Sequence, residues 1–299
     1  VVTGVSGSGK SSLLIDTLVP ALGEAFNQTP ATAGGARESL PGKIAEGTGA
    51  LKRVVEVDQD PPGRSSRSNP ATFVGLWNDI RDLLALSRES QVRGFTRSHF
   101  SFNVAGGRCE SCGGLGYELM EMPLLGDVSV TCRACEGRRF REDVLEVRLR
   151  GKNVSEILAM TVDEAEEFFE SYASLRAPLA LLREIGLGYL ALGQPSRTLS
   201  GGEAQRLKLA AEIGKSGRVT TFYVLDEPTT GLHFNEVTKL LGALQRLVDA
   251  GHTVYIIEHH PEVIRAADFV LDLGPGGGGE GGKVVFFGPP DRLLTSDTL

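Results

Sequence analysis

The hydrophobic pattern along the chain alternates between short apolar runs and longer amphipathic stretches. Val1-Val2-Thr3 reads as the end of a buried strand, and 11–22 as a helix with Leu13, Leu14, Thr17 and Leu18 on one face. A strand is expected over 53–58 and ends at Pro61-Pro62-Gly63. Helical patterning follows over 161–183, around Ala165, Phe168, Phe169 and Leu175, and again over 203–213. The runs 221–225 and 253–257 are almost wholly apolar, which predicts strands covered on both faces. Strands of that kind alternating with helices predict a parallel α/β core. Between them, 29–49 reads as a linker, and 71–155 has few periodic segments and many turns, as an inserted module would. No internal repeat is visible, and no run approaches the roughly 20 apolar residues of a membrane helix.

Composition sharpens this picture only in places. With 31 Lys and Arg against 38 Asp and Glu, the net charge is −7, so contact with a polyanion would have to come from a local patch. The 38 glycines, roughly twice ordinary usage, predict tight turns or phosphate-cradling loops. The chain starts at Val1, directly before a glycine loop, which suggests that a longer protein precedes it. All four cysteines fall in two Cys-x-x-Cys pairs, a metal-site spacing that suits a reducing, cytoplasmic setting.

Gly4-Val5-Ser6-Gly7-Ser8-Gly9-Lys10-Ser11 fits G-x-x-x-x-G-K-[ST] between a strand and a helix. In such a loop Gly4, Gly7 and Gly9 let backbone N–H groups converge on phosphate oxygens. Lys10 neutralises the β and γ phosphates, and the Ser11 hydroxyl, with Ser12 beside it, faces Mg²⁺. Phe222-Tyr223-Val224-Leu225-Asp226-Glu227-Pro228 is an apolar strand ending in two carboxylates, one suited to the metal and one to a water. Taken alone, those two carboxylates read first as a solvated acidic turn, and it is the P-loop in the same chain that favours the metal and water roles. Leu199-Ser200-Gly201-Gly202-Glu203 sets a hydroxyl and two glycines before a helix, as an anion site or as a plain cap.

The order of these blocks, with His259 after the second apolar run, resembles the ATP-binding-cassette set. That resemblance implies a head-to-tail pair of modules with ATP between one P-loop and the other module's signature loop. It implies Lys10 and Ser11 on phosphate and Mg²⁺, Asp226 on the metal, Glu227 on the attacking water, and His259 on the γ-phosphate. Ser200, Gly201 and Gly202 would meet the opposing nucleotide. His260 is an adjacent rival for the histidine role, and a plain surface histidine is a further alternative.

Cys109-x-x-Cys112 and Cys132-x-x-Cys135 stand 19 residues apart, with Gly113-Gly114 and Gly137 placed to turn amides toward the thiolates. Four soft ligands at this spacing fit a closed, structural Zn²⁺ site; redox pairs or an iron–sulfur cluster also fit four cysteines. Across 64–108 there are seven arginines against Asp79, Asp82 and Glu89, with Phe95, Phe100 and Phe102 interleaved among Arg93, Arg97 and His99. That mixture suits backbone contact and base stacking by Arg93, Arg97 and Arg108, or else a solvated surface over core phenylalanines.

Longer blocks are similar to the UvrA family, the damage-sensing ATPases of nucleotide excision repair: Val57-Asp58-Gln59, Arg67-Ser68-Asn69-Pro70-Ala71-Thr72, Phe100-Ser101-Phe102-Asn103-Val104, Gly106-Gly107-Arg108-Cys109 and Leu192-Gly193-Gln194-Pro195, together with Gly63-Arg64. The resemblance covers nearly the whole chain and matches the C-terminal half of such a protein. It implies an α/β, ABC-type core at 1–70 and 156–299 with a zinc-binding, DNA-contacting module at 71–155. Gln59 would link nucleotide state to that module. The implied partners are damaged duplex DNA, a second copy, and the damage-verification helicase subunit, in the cytoplasm and away from membranes. Met122-Pro123-Leu124-Leu125-Gly126-Asp127 departs from the family's usual run and leaves room for a drug-resistance paralogue. A transporter's nucleotide-binding subunit would not need the cysteines, and a non-hydrolytic zinc scaffold would not need Glu227 beside Asp226.

Overall fold

The computed structural model describes residues 1–27, 40, 42, 44, 46–63, 65–122, 126–215 and 219–293. Most of the expected linker 29–49, Arg64 and the centre of the divergent run at 123–125 lie outside those residues. The described strands are β1 (Val2–Gly4), β2 (Arg53–Val57), β3 (Tyr117–Met122), β4 (Gly126–Thr131), β5 (Thr221–Asp226), β6 (Thr253–Ile257), β7 (Val270–Gly274) and β8 (Lys283–Gly288). The chain divides into two compact units, one of Val1–Asp60, Glu184–Gly186 and Ser200–Leu299, the other of Pro61–Arg183 and Leu187–Leu199.

The first unit is built on one sheet in the order β2-β5-β6-β1-β7-β8, parallel except for β8, which runs antiparallel to β7. Successive side chains of a strand face opposite sides. Phe222 and Val224 therefore pack with Leu14, Val19 and Leu22 on one face, while Tyr223 and Leu225 pack with Leu209, Leu240 and Leu244 on the other. A strand with helices over both faces has no polar side, which is why β5 reads as a continuous apolar run. β6 departs from that expectation in its first half. Tyr255 is exposed there, on an open apolar cleft of about 640 Å³ that also borders Phe269 and Phe287.

The expected helix over 11–22 has wide π-type turns at Ser12–Leu18 and becomes α-helical at Val19–Ala25. Pro20, lacking an N–H, leaves the Asp16 carbonyl without its usual α-helical partner, and that oxygen accepts the Leu40 N–H at 2.9 Å. The patterning over 161–183 becomes two helices, Val162–Phe168 and Ala173–Glu184.

The second unit holds the cysteines, the β3–β4 hairpin and several short helices. Its core gathers Trp77, Phe102 and Phe140, with ring centroids 5.4 Å apart for Trp77–Phe102 and 6.3 Å for Phe102–Phe140. It reaches past both ends of 71–155 because later residues hydrogen-bond back into it. Ala71 N–H donates to Leu192 O at 3.1 Å, Leu192 N–H to Met160 O at 2.9 Å, and Gly193 N–H to Leu158 O at 2.7 Å. Among the described residues no helix is long and apolar enough to cross a membrane.

Candidate functional site

In a parallel sheet the carboxyl ends of the strands lie on one edge, and loops leaving them converge there. The register sets Val2 beside Ile257 and Asp226 beside Ile257, so the loops after β1, β2 and β5 open onto one cleft of about 530 Å³ at the end of β6. Gly7, Gly9, Lys10, Ser11, Ser12, Gln59, Asp226 and Glu227 all line it. Gly4, at the start of the loop, has φ +136°, and a β-carbon there would stand 2.1 Å from the Leu273 carbonyl oxygen. Only glycine fits that approach.

Lys10 is buried, and its Nζ donates to the carbonyls of Gly4 and Val5, each at 2.9 Å. The ammonium thus sits at the loop mouth on weak acceptors that phosphate oxygens would outcompete. Ser11 Oγ donates to Asp226 Oδ2 at 3.3 Å, which sets a hydroxyl beside a carboxylate, the hard oxygen type that a divalent cation such as Mg²⁺ would take. Burial pushes the Asp226 carboxyl above its ordinary value and the Glu227 charge adds to this, while Ser11 and Lys10 pull it down. A divalent cation would favour the ionised form further.

Glu227 has φ +45°, an uncommon backbone region for a non-glycine residue, and its N–H donates to Ile257 O at 2.9 Å. Its Oε1 lies 3.9 Å from His259 Nε2, with both side chains about half exposed toward solvent. His260, the rival, instead accepts Glu262 N–H on its ring at 3.3 Å and caps the helix Pro261–Arg265. Gln59 Nε2 donates to the Asp226 carbonyl at 3.1 Å.

Ser200 caps the helix Gly201–Gly214, its Oγ accepting Glu203 N–H at 3.3 Å while Glu203 Oε2 accepts Ser200 N–H at 2.7 Å. Ser200, Gly201 and Gly202 stand outside the cleft's lining. A β-carbon on Gly201 would come 2.7 Å from Gln59 Oε1, so this glycine lets the helix start pack on the Gln59 side chain.

Sequence reasoning missed several polar groups around this cleft. Gln205, fully buried, donates from Nε2 to Val57 O at 2.8 Å and Asp226 O at 3.0 Å, joining the signature helix to β2 and β5. Asp272 is buried on β7; burial raises its carboxyl above the ordinary value and Lys10 opposes the rise. Gly278 N–H donates to Gly7 O at 3.1 Å and Gly282 N–H to Ser8 O at 2.9 Å, so a glycine strap braces the P-loop. Across a trans peptide the N–H points away from its carbonyl, so the strap bond to Ser8 O aims Gly9 N–H to the opposite side. The available signal was a single acid or amide inside an apolar run, as at Asp272.

In the second unit the four cysteine sulfurs lie within 4.8 Å of one another, all buried, with Cys112 Sγ and Cys135 Sγ 3.7 Å apart. Burial pushes the Cys135 thiol up to about 12, the hydrogen bond with the Arg139 backbone opposes it, and the Cys112 and Cys132 thiols add to it. Only a bound cation would make four such thiolates compatible with burial, and four sulfurs suit a tetrahedral soft metal. Backbone amides do turn to sulfur after each pair, Gly116 N–H at 3.2 Å from Cys112 Sγ and the Arg139 backbone on Cys135. Arg139, another group missed, is mostly buried nearby and donates to Gly193 O at 2.9 Å.

The expected stacking surface is only partly present. Phe100 and Phe102 are fully buried in the core, and Phe95 stacks on His99 at 4.8 Å. Arg93 pairs with Glu146 at 2.6 Å, Arg97 with Asp82 at 3.5 Å, and Arg108 with Glu110 at 3.8 Å. Their charges are thus shared with local acids.

A P-loop after β1, a carboxylate-ended strand two places away in the sheet and a capped Ser-Gly-Gly helix define an ABC-type P-loop ATPase core, accompanied by a cysteine-cluster module. No family model matches the chain. It is 51% identical over 292 residues to UvrABC system protein A of Thermus thermophilus, covering 98% of this chain and 30% of that protein. With the protein of the same name from Methanothermobacter thermautotrophicus it shares 51% over 297 residues, covering 99% and 30%. The crystal structure of UvrA2 from Deinococcus radiodurans superimposes with a TM-score of 0.87 at 47% identity, covering 99% of this chain and 35% of that one. Along nearly all its length the chain is thus similar to UvrA proteins, and it spans about a third of the length of the relatives it matches.

Proposed function

We propose that this chain supplies a nucleotide-hydrolysing and DNA-engaging part of a damage-recognition ATPase of nucleotide excision repair. The observation that carries the proposal is the approach of Ser11 to Asp226, with Glu227 and Lys10 in the same cleft, in a chain half identical to a protein of the UvrABC system. ATP binds with its phosphates on the P-loop amides and Lys10, and Ser11 and Asp226 hold Mg²⁺. Glu227 orients a water and takes its proton as the water oxygen attacks the γ-phosphorus and the bond to the β-phosphate oxygen breaks. His259 steadies the charge on the γ-phosphate. Ser200, Gly201 and Gly202, outside this cleft, serve the nucleotide of an opposing module, and the protein works as a homodimer.

Cys109, Cys112, Cys132 and Cys135 hold Zn²⁺, which contributes folding energy to the module and no chemistry of its own. That module contacts duplex DNA through its arginines, sensing lesions by deformability. The partner is the helicase subunit that verifies damage, and the reduced cysteines suit the cytoplasm. A second reading, a UvrA-like paralogue acting on DNA-bound compounds, draws support from the likeness to a structure named UvrA2. Filter binding of the full-length protein to lesion-bearing and intact duplexes, with and without ATP, tests the proposal. ATP-dependent preference for lesions supports repair; preference only for compound-loaded duplex supports the second reading; indifference to ATP rejects both.

A further inference from the structure

Glu258 follows β6 and is 3% exposed. Its Oε1 accepts the N–H of Thr229 at 3.0 Å and the Thr229 hydroxyl, and its Oε2 accepts the N–H groups of His259 at 2.6 Å and His260 at 3.0 Å. Three backbone N–H groups and a hydroxyl thus converge on its two oxygens, an arrangement matched to a side chain that accepts on both. Its own N–H donates to Val2 O at 3.1 Å, which pins it to the strand feeding the P-loop.

The two loops so joined carry Glu227 and His259, the groups assigned above to the attacking water and the γ-phosphate, whose side chains lie 3.9 Å apart. Thr229 lies in the turn closed by the bond from Thr230 N–H to the Glu227 carbonyl at 3.1 Å, and His259 is the next residue after Glu258. Helix capping does not account for the arrangement. His260 already caps the helix Pro261–Arg265, and a cap has no use for the two Thr229 bonds from 29 positions away.

We propose that Glu258 is a positioning residue that clamps the Glu227 loop to the His259 loop, so that the two side chains address one phosphate together. The inference rests on the ATPase reading for its effect on rate, but the clamp itself has a readout independent of turnover.

The test compares Glu258→Gln, Thr229→Val and Thr229→Ser in the full-length protein. Gln keeps the shape but turns an N–H₂ toward donors, and loss of charge-assisted bonds of this kind should lower kcat by about 10-fold to 100-fold. KM for ATP should stay within about twofold, because Lys10, Ser11 and Asp226 are untouched. Thr229→Ser should behave as wild type, and Thr229→Val should add little to Glu258→Gln, since groups acting as a unit are non-additive. Amide hydrogen exchange at Thr229, His259 and His260 should accelerate together in Glu258→Gln. A wild-type rate in Glu258→Gln, or faster exchange at the histidines with Thr229 unchanged, would overturn the clamp. Were Glu258→Gln not to fold, kcat in Thr229→Val against Thr229→Ser decides, equal rates overturning it. Were the wild-type protein itself unable to hydrolyse ATP, the ATPase reading would fail, while concerted exchange would still establish the clamp.

Discussion

Ser11 Oγ donates to Asp226 Oδ2 at 3.3 Å, although 215 residues separate them in the chain. That bond relieves part of an electrostatic cost. Asp226 has a carboxyl held above its ordinary 3.8 by burial and by Glu227. A raised folded-state value means the folded protein prefers the protonated acid. That contribution to stability is full below the unfolded value and is lost as pH rises through the folded value. Asp226→Asn should therefore raise the nucleotide-free Tm at neutral pH and narrow its difference from acid pH. It should also remove Mg²⁺-dependent stabilisation by ATP and lower hydrolysis by about 10²-fold or more. Thermal melts from pH 4 to 8, with and without Mg²⁺ and ATP, check this.

Cys109→Ser or Cys132→Ser should unfold the cysteine module while leaving nucleotide binding largely intact. Structural zinc is worth roughly 10–16 kcal/mol in small metal domains, more than a turn-rich module recovers by packing. One equivalent of zinc should be lost, by elemental analysis. Zinc retained with unchanged DNA affinity would contradict the assignment.

Neutralising Arg93, Arg97 and Arg108 together should weaken DNA binding at every sequence and flatten its salt dependence. Each lost phosphate contact changes the logarithmic slope by about 0.9. The pairing of Arg93 with Glu146 and of Arg97 with Asp82 keeps the total below three full contacts. Stability should change little, because exposed ion pairs contribute about 0–1 kcal/mol each. An unaltered slope measured between 50 and 200 mM salt would make these arginines ordinary surface residues.

Gly277→Ala should loosen the P-loop without touching the metal module. A β-carbon there would stand 2.8 Å from the Ser6 carbonyl oxygen, a backbone atom with no rotamer to escape into. ATP affinity should fall by about 10-fold by calorimetry, a cost typical of misplacing a preorganised site, with zinc content unchanged.

What the sequence disclosed was local in spacing. The P-loop, the Asp226-Glu227 pair and the two Cys-x-x-Cys pairs are runs whose chemistry depends on neighbours in the chain, and the fold brings each set together. Phe100 and Phe102 show the opposite case. Their place beside arginines suggested stacking on a nucleic acid, but packing with Trp77, Phe95 and Phe140 buries both. Burial of an aromatic depends on distant partners that a local charge count does not contain. Glu258 and Gln205 stayed hidden for a related reason. A single polar residue at the end of an apolar strand or on a helix has no periodicity, and its partners, Thr229 for one and Val57 for the other, lie far away in sequence.

The central claim is that Glu227 activates water in a cleft whose nucleotide state governs DNA engagement. Its most direct test is Glu227→Gln in the full-length protein, read by single-turnover hydrolysis at this site together with dissociation kinetics from damaged and intact duplex. Gln keeps shape and hydrogen bonding but removes the base, so hydrolysis should fall by roughly 10²–10⁴-fold with ATP affinity nearly constant. Trapping the ATP-bound state should also change the lifetime on DNA, because linkage is reciprocal. Wild-type turnover would reject Glu227 as the base, and slow turnover with unchanged dwell times would reject the coupling to DNA.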